Sequence, residues 1–183
     1  RQIGDKPASS LAESVRNLRT AINLSNVDAV PQVVVVTSSV PNEGKSILAS
    51  MLAATSGMAG KKVLLVDADL RRRILRRYFK VGSESGLIDF LAGNKSIDEV
   101  IFREDKLGLD LLIADDGRVT PADFFESNQF ANFIAAMRER YDLIVLDTPP
   151  VLAVPDARIV AQHADAIVYA VRWNKTTRRM VQT

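Results

Sequence analysis

The chain has 183 residues, room for one domain with a substantial core, and 47% of them are apolar. It has no cysteine and one histidine, His163, which excludes a disulfide scaffold, Cys-ligated zinc or iron–sulfur centres and any multi-His metal site. A net charge of +2 gives no reason to expect nucleic acid as a partner, and no apolar run reaches the ~18 residues of a membrane helix.

Residues 1–30 read as an N-terminal segment ahead of the core. Ser10 and Glu13 make a capping-box pattern that opens a helix to about Asn23. Glu13, Arg16 and Arg19 follow at three-residue spacing, close to one helical face. The run VVVVT at 33–37 is continuously apolar and β-branched, as in a strand buried on both faces. A helical stretch at 45–59 should stop at Gly60 in the C′ position. VLLV at 63–66 is a second buried strand. Five of the seven residues 71–77 are arginine, either a solvated helix face or a contact for an anionic partner such as phosphate, an acidic protein face or a lipid headgroup. Ser96 and Glu99 form another capping box. LDLLIA at 109–114 is a strand. Thr120 and Pro121 read as N-cap and first position of a helix reaching about Arg140. LIVL at 143–146, a short helix at 155–163 and AIVYAV at 166–171 complete the chain. Strand–helix alternation predicts an α/β fold of three layers, a mostly parallel sheet with helices on both faces and right-handed crossovers. Ligands bind such sheets at the carboxyl ends of the strands.

Three motifs fall at those ends. Ser39, Val40, Pro41, Asn42, Glu43, Gly44, Lys45 and Ser46 follow a strand and open a helix, the context of a P-loop. Backbone N–H groups of such a loop, with Ile47 in the first helical turn, cradle phosphate oxygens. Lys45 would reach the β- and γ-phosphates of ATP, and the Ser46 hydroxyl would ligate Mg²⁺. Lys45 is expected at the surface, where truncation costs little stability. The first position is Ser39 instead of the common Gly, and Asn42 tolerates a left-handed backbone. In the second motif, a buried strand ends in Asp67 and Asp69, followed by Arg71. The two carboxylates share a face if the strand persists. One of them could hold Mg²⁺ through water while the other orients or deprotonates a nucleophile. In the third, an apolar strand ends in Asp147, a Walker B pattern placing a carboxylate near Mg²⁺.

Taken together, residues 39–46, Asp67 to Arg71 and Asp147 to Pro150 resemble the Walker A, A′ and B motifs of bacterial tyrosine kinases, the BY-kinases. These are cytoplasmic P-loop domains of polysaccharide co-polymerases. The resemblance spans nearly the whole chain. Glu13, Arg16 and Arg19 are similar to that family's ring-forming helix motif, and 86–93 and 149–156 look like family segments. Min/Par partitioning ATPases of the same superfamily normally carry an extra Lys near the loop start. Thr37, Ser38, Ser39 and Val40 contain none, which favours the kinase branch.

The resemblance implies an ATP- and Mg²⁺-dependent tyrosine autokinase regulating exopolysaccharide or capsule polymerisation and export. It implies a place at the cytoplasmic face of the bacterial inner membrane, beside the membrane part of the same protein. It also implies a homo-oligomeric ring built through the N-terminal helix, phosphorylating a tyrosine-rich tail of its own or a neighbouring subunit. In that mechanism Lys45 and Mg²⁺ neutralise the transferring phosphate. Ser46, Asp147 and one of Asp67 and Asp69 support the metal, and Asp67 is preferred over Asp69 as proton acceptor. The alternatives are a partitioning-type ATPase and a non-catalytic nucleotide-binding scaffold. The chain starts at Arg1, so it reads as a piece of something longer. Its tyrosines are Tyr78, Tyr141 and Tyr169, of which the last two should be packing residues. Trp173 should cap the core or lie near a nucleotide base.

Overall fold

Every expected strand forms in the computed structural model, which describes residues 10–26, 28–82, 84–116 and 120–182. The strands are β1 (Val33–Ser38), β2 (Val63–Asp67), β3 (Ile101–Glu104), β4 (Leu109–Leu112), β5 (Leu143–Asp147) and β6 (Ala166–Ala170). They make one sheet of order β3-β4-β2-β5-β1-β6. All pairings are parallel except β3 with β4. β1, β2 and β5 are buried at every position, as strands covered on both faces must be. Antiparallel β3 was not foreseen. It is a four-residue edge strand, turned back by a loop whose Gly108 has φ 65°.

The helices are α1 (Ser10–Asn23), α2 (Lys45–Gly57), α3 (Ile74–Phe79), α4 (Leu87–Leu91), α5 (Ile97–Val100), α6 (Pro121–Phe125), α7 (Asn128–Arg138), α8 (Asp156–Ala161) and α9 (Arg178–Gln182). Side chains of β1 alternate between two cores. Val34 and Val36 join Leu52 of α2, Ile22 of α1 and Leu65 of β2. Val33 and Val35 join Phe130, Phe133 and Ile134 of α7 with Leu64 and Ile144.

Local chemistry explains the helix ends. The Gly60 N–H donates to the Gly57 carbonyl and the Lys61 N–H to the Ser56 carbonyl, a Schellman closure with Gly60 at φ 86°. The Ser96–Glu99 capping box forms as expected. Ser10 already belongs to α1 instead of preceding it as a cap; the residues before it lie outside the described ones. The single helix expected from Pro121 to about Arg140 is two. Ser127 accepts the Phe130 N–H and starts α7 as a fresh N-cap.

Candidate nucleotide site

Strand order decides which side chains meet. β5 lies between β1 and β2, with Val36 in register with Asp147 and Asp147 with Asp67. Two carboxylates therefore end neighbouring parallel strands beside the loop that leaves β1. The turn after Asp147 is tied to that loop: the Thr37 hydroxyl donates to the Pro149 carbonyl, and the Val151 N–H to the Ser38 carbonyl.

Residues 39–46 form the loop into α2. Asn42 has φ 69° and Gly44 φ 89°, so two left-handed residues close it. Ser39 is buried, and its hydroxyl lies 3.0 Å from that of Tyr169, so the fold houses a side chain where glycine is common. The Glu43 carboxylate accepts the Val40 N–H at 2.9 Å, the Arg172 N–H at 3.2 Å and the Thr176 hydroxyl. Burial raises its pKa, but these bonds outweigh that and hold it below the usual range. Of the residues expected to bind nucleotide, Val40 gives its N–H and Glu43 its carboxylate to bonds that close the loop, while Pro41 is exposed. Gly44, Lys45, Ser46 and the exposed Ile47 stand at the start of α2, whose first-turn N–H groups have no intrahelical acceptor. A cleft of about 210 Å³ opens there, bordered by Asn42, Gly44, Lys45, Ser46, Arg72 and Tyr78 among others.

Lys45 is not a surface residue: it is 6% exposed, with its ammonium 3.1 Å from Asp69 and 3.6 Å from Asp147. The P-loop geometry turns the side chain back over the strand ends, a fold-level fact that a GKS motif alone does not carry. Asp67, Asp69 and Asp147 are all buried around it. β2 ends at Asp67, yet Asp69 reaches the same place because its N–H bonds back to Asp67 Oδ1 at 3.2 Å. Asp69 is occupied on both oxygens, by Lys45 and by the Arg72 N–H at 3.1 Å.

Asp67 Oδ2 and both oxygens of Asp147 are buried without a hydrogen-bond partner. Burial, then Asp147 and Asp69, push Asp67 well above the usual carboxylate range, and Lys45 offsets only part. Burial likewise pushes Asp147 up to about 6, against the pull of Lys45. Orphaned buried carboxylate oxygens are costly. These oxygens and the Ser46 hydroxyl are hard donors suited to Mg²⁺. Among the described residues no group of three or more His, Cys, Asp or Glu is arranged to hold an ion alone.

The arginine-rich run is largely spent inside the chain. Arg71 pairs with buried Asp156 at 3.3 Å, fastening the segment after Asp147, and Arg73 and Arg76 pair with Asp116. No sequence spacing announces the Arg71–Asp156 link. On α1, Glu13 and Arg16 are exposed, whereas Arg19 donates to the Thr55 carbonyl of α2 at 2.8 Å. Tyr141 is buried against Asp110, and half-buried Tyr169 meets the Ser39 hydroxyl, so both pack as expected. Trp173 does not cap the core, being 94% exposed.

A left-handed loop at a helix start, a lysine turned onto strand-end carboxylates and a mostly parallel sheet define a P-loop nucleotide-binding domain of the NTPase class. Residues 32–177 match the family model described as an AAA domain. The chain is 34% identical over 171 residues to the tyrosine-protein kinase YwqD of Bacillus subtilis strain 168, covering 93% of this chain and 72% of that one. The kinase domain of the Escherichia coli tyrosine kinase ETK superposes with a TM-score of 0.92 at 32% identity, over 97% of this chain and 70% of that one. EpsB of Ralstonia solanacearum is 38% identical over 177 residues, 97% of this chain. The chain belongs to the bacterial tyrosine kinase family of P-loop AAA domains. It spans 23% of the length of EpsB.

Proposed function

We propose that this chain is the catalytic domain of a protein-tyrosine autokinase that moves the terminal phosphoryl group of ATP to tyrosine. The observation that carries the reading is Asp67, buried beside Lys45 with Oδ2 unpartnered. In the reaction, the tyrosine oxygen bonds to the γ-phosphorus, the bond to the β–γ bridging oxygen breaks, and ADP leaves. The hydroxyl proton goes to Asp67 Oδ2. Burial and the neighbouring carboxylates raise the proton affinity of Asp67, which favours it as the proton acceptor. Asp69 competes for this role but is held by Lys45 and Arg72. The first-turn amides of α2 and the Lys45 ammonium bind and orient the polyphosphate. Ser46 and Asp147, with an Asp67 or Asp69 oxygen, would hold Mg²⁺. Neutralisation of charge on the β- and γ-oxygens is what that ion supplies when bound.

The wider setting follows the same reading. The full protein would act at the cytoplasmic face of the inner membrane in exopolysaccharide or capsule export, as a ring assembled through the exposed Glu13 and Arg16 of α1 together with Arg19. Among the described residues no helix is long and apolar enough to cross a membrane, so anchoring would fall to another part of the protein. The test is phosphotyrosine formation from labelled ATP on an added tyrosine-rich peptide, with Lys45→Ala as control. The expected result is Lys45-dependent phosphotyrosine. Steady ATP hydrolysis without phosphotyrosine would turn the reading towards a partitioning-type ATPase, and binding without turnover towards a scaffold.

A further inference from the structure

Trp173 has no place in the mechanism above, and its placement is costly. A 94% exposed indole forgoes the burial that such a side chain normally gains on folding. Its position is nonetheless built. It sits in a turn after β6 in which the Arg172 carbonyl accepts the Lys175 and Thr176 N–H groups and Asn174 adopts φ 56°. Both flanks of the turn are fastened to the phosphate loop. The Arg172 N–H and the Thr176 hydroxyl donate to Glu43, and the Arg172 guanidinium donates to the Asn42 carbonyl at 3.4 Å. The indole is thus held at a set distance from the loop with its surface open.

Strand order says which end of a nucleotide it meets. The carboxylates and Lys45 lie on the β5 and β2 side of β1, whereas β6 flanks β1 on the other side. With the terminal phosphate at the carboxylates and the polyphosphate over the start of α2, the nucleoside extends over the end of β6. Tyr78, the other exposed ring near the loop, borders the cleft together with Lys45 and Ser46, where the phosphates would lie.

We infer that Trp173 is the platform on which the adenine of ATP stacks, making it an affinity-determining residue of the nucleotide site. This rests on the reading of residues 39–46 as an ATP site. Every base presents a π-face, so the platform supplies affinity more than base discrimination.

Trp173 is the chain's one tryptophan, so its emission reports on that position alone. The experiment follows emission of the 183-residue chain while ATP or inorganic tripolyphosphate is added with Mg²⁺. Equilibrium dialysis with labelled ATP is run in parallel on wild type, Trp173→Ala and Trp173→Phe. ATP should quench the emission. Tripolyphosphate should displace labelled ATP yet leave the emission unchanged. Trp173→Ala should weaken ATP binding roughly 5- to 100-fold, with Trp173→Phe restoring most of it and tripolyphosphate affinity constant throughout. Labelled ATP that binds without changing emission, or binds Trp173→Ala as it binds wild type, overturns the stacking while sparing the ATP site. Equal quenching by tripolyphosphate overturns it in favour of loop movement. A Trp173→Ala chain that binds ATP normally but changes oligomeric state overturns it in favour of a contact between copies. Wild type that binds no labelled ATP removes the site reading itself, and the inference with it.

Discussion

Truncating Lys45 to Ala separates the buried lysine seen here from the surface lysine that the motif suggests. Its ammonium lies 3.1 Å from Asp69 and 3.6 Å from Asp147, with all three side chains nearly inaccessible. Deleting one partner of a buried pair strands the other charge and costs ~3–5 kcal/mol. Part of this is recovered, because Asp147 already titrates at about 6 and takes up a proton when its cation is lost. A net loss of about 2–3 kcal/mol follows, which for a chain of this size lowers Tm by roughly 4–12 °C. A protonated carboxylate needs no cation, so the deficit shrinks as pH falls through about 6. ATP affinity should drop ~10–100-fold from the lost charged hydrogen bonds. Circular-dichroism melts of the nucleotide-free protein and equilibrium ATP binding measure the two effects. Lys45→Met, which keeps most of the aliphatic stem, separates lost packing from lost charge. A Lys45→Ala protein that melts with wild type and binds ATP equally well would refute both the buried pairing and the phosphate role.

Asp67→Asn and Asp69→Asn should each slow phosphoryl transfer in a full-length autokinase assay, Asp67→Asn by the larger factor within ~10²–10⁴; wild-type rates in both would remove the paired-carboxylate mechanism. Asp165 offers a pH test away from the site. Burial raises its pKa, but the Arg138 guanidinium on both oxygens and the Gln32 and Val33 N–H groups outweigh that and hold it below the usual range. A depressed folded pKa gives stability that is present above the unfolded value and lost as pH falls through the folded one. Asp165→Asn should therefore cost about 1–3 kcal/mol near neutrality, and the gap to wild type should close in acid; a gap independent of pH would contradict the assignment. Replacing Arg16 and Arg19 together by Ala should give full-length protein that binds ATP but neither assembles nor phosphorylates in trans, by light scattering and autokinase assay. Arg19→Ala alone calibrates the loss of its bond to Thr55.

What could be read in advance was whatever depends on local pattern. The run VVVVT, the Gly60 stop, the Ser96–Glu99 box and the left-handed Asn42 are each set by residues within a few positions, and each appears. The order of strands is not local, and it was expected only as a rule about strand ends. What local pattern missed divides into two kinds. The break at Ser127 and the edge strand β3 had signals, a capping serine inside a helical stretch and a turn ending in Gly108. The Arg71–Asp156 pair joins residues 85 apart, and no spacing in a single sequence encodes it.

The same distinction bears on the site. Lys45, Ser46, Asp67, Asp69 and Asp147 converge on one place, yet their pairings could not be read from the sequence. Glu43 lies inside the phosphate-loop motif, which invites the reading that it serves the nucleotide. Its carboxylate instead bonds to Val40 within the loop and to Arg172 and Thr176 beyond β6. A loop with Ser39 in place of the usual glycine is thereby held shut from two sides, by Tyr169 on the Ser39 hydroxyl and by the turn after β6 on Glu43. Preorganisation of this kind matters because amides aimed at phosphate stabilise developing charge most when they need not reorganise. The carboxylate cluster is the opposite case. Asp67 Oδ2 and both Asp147 oxygens lack hydrogen-bond partners and the proton affinities of Asp67 and Asp147 are raised, a state that a cation and a nucleotide would relieve. On the proposed reading, a phosphate loop held in this way beside a carboxylate pocket short of partners would make productive binding depend on nucleotide and metal together.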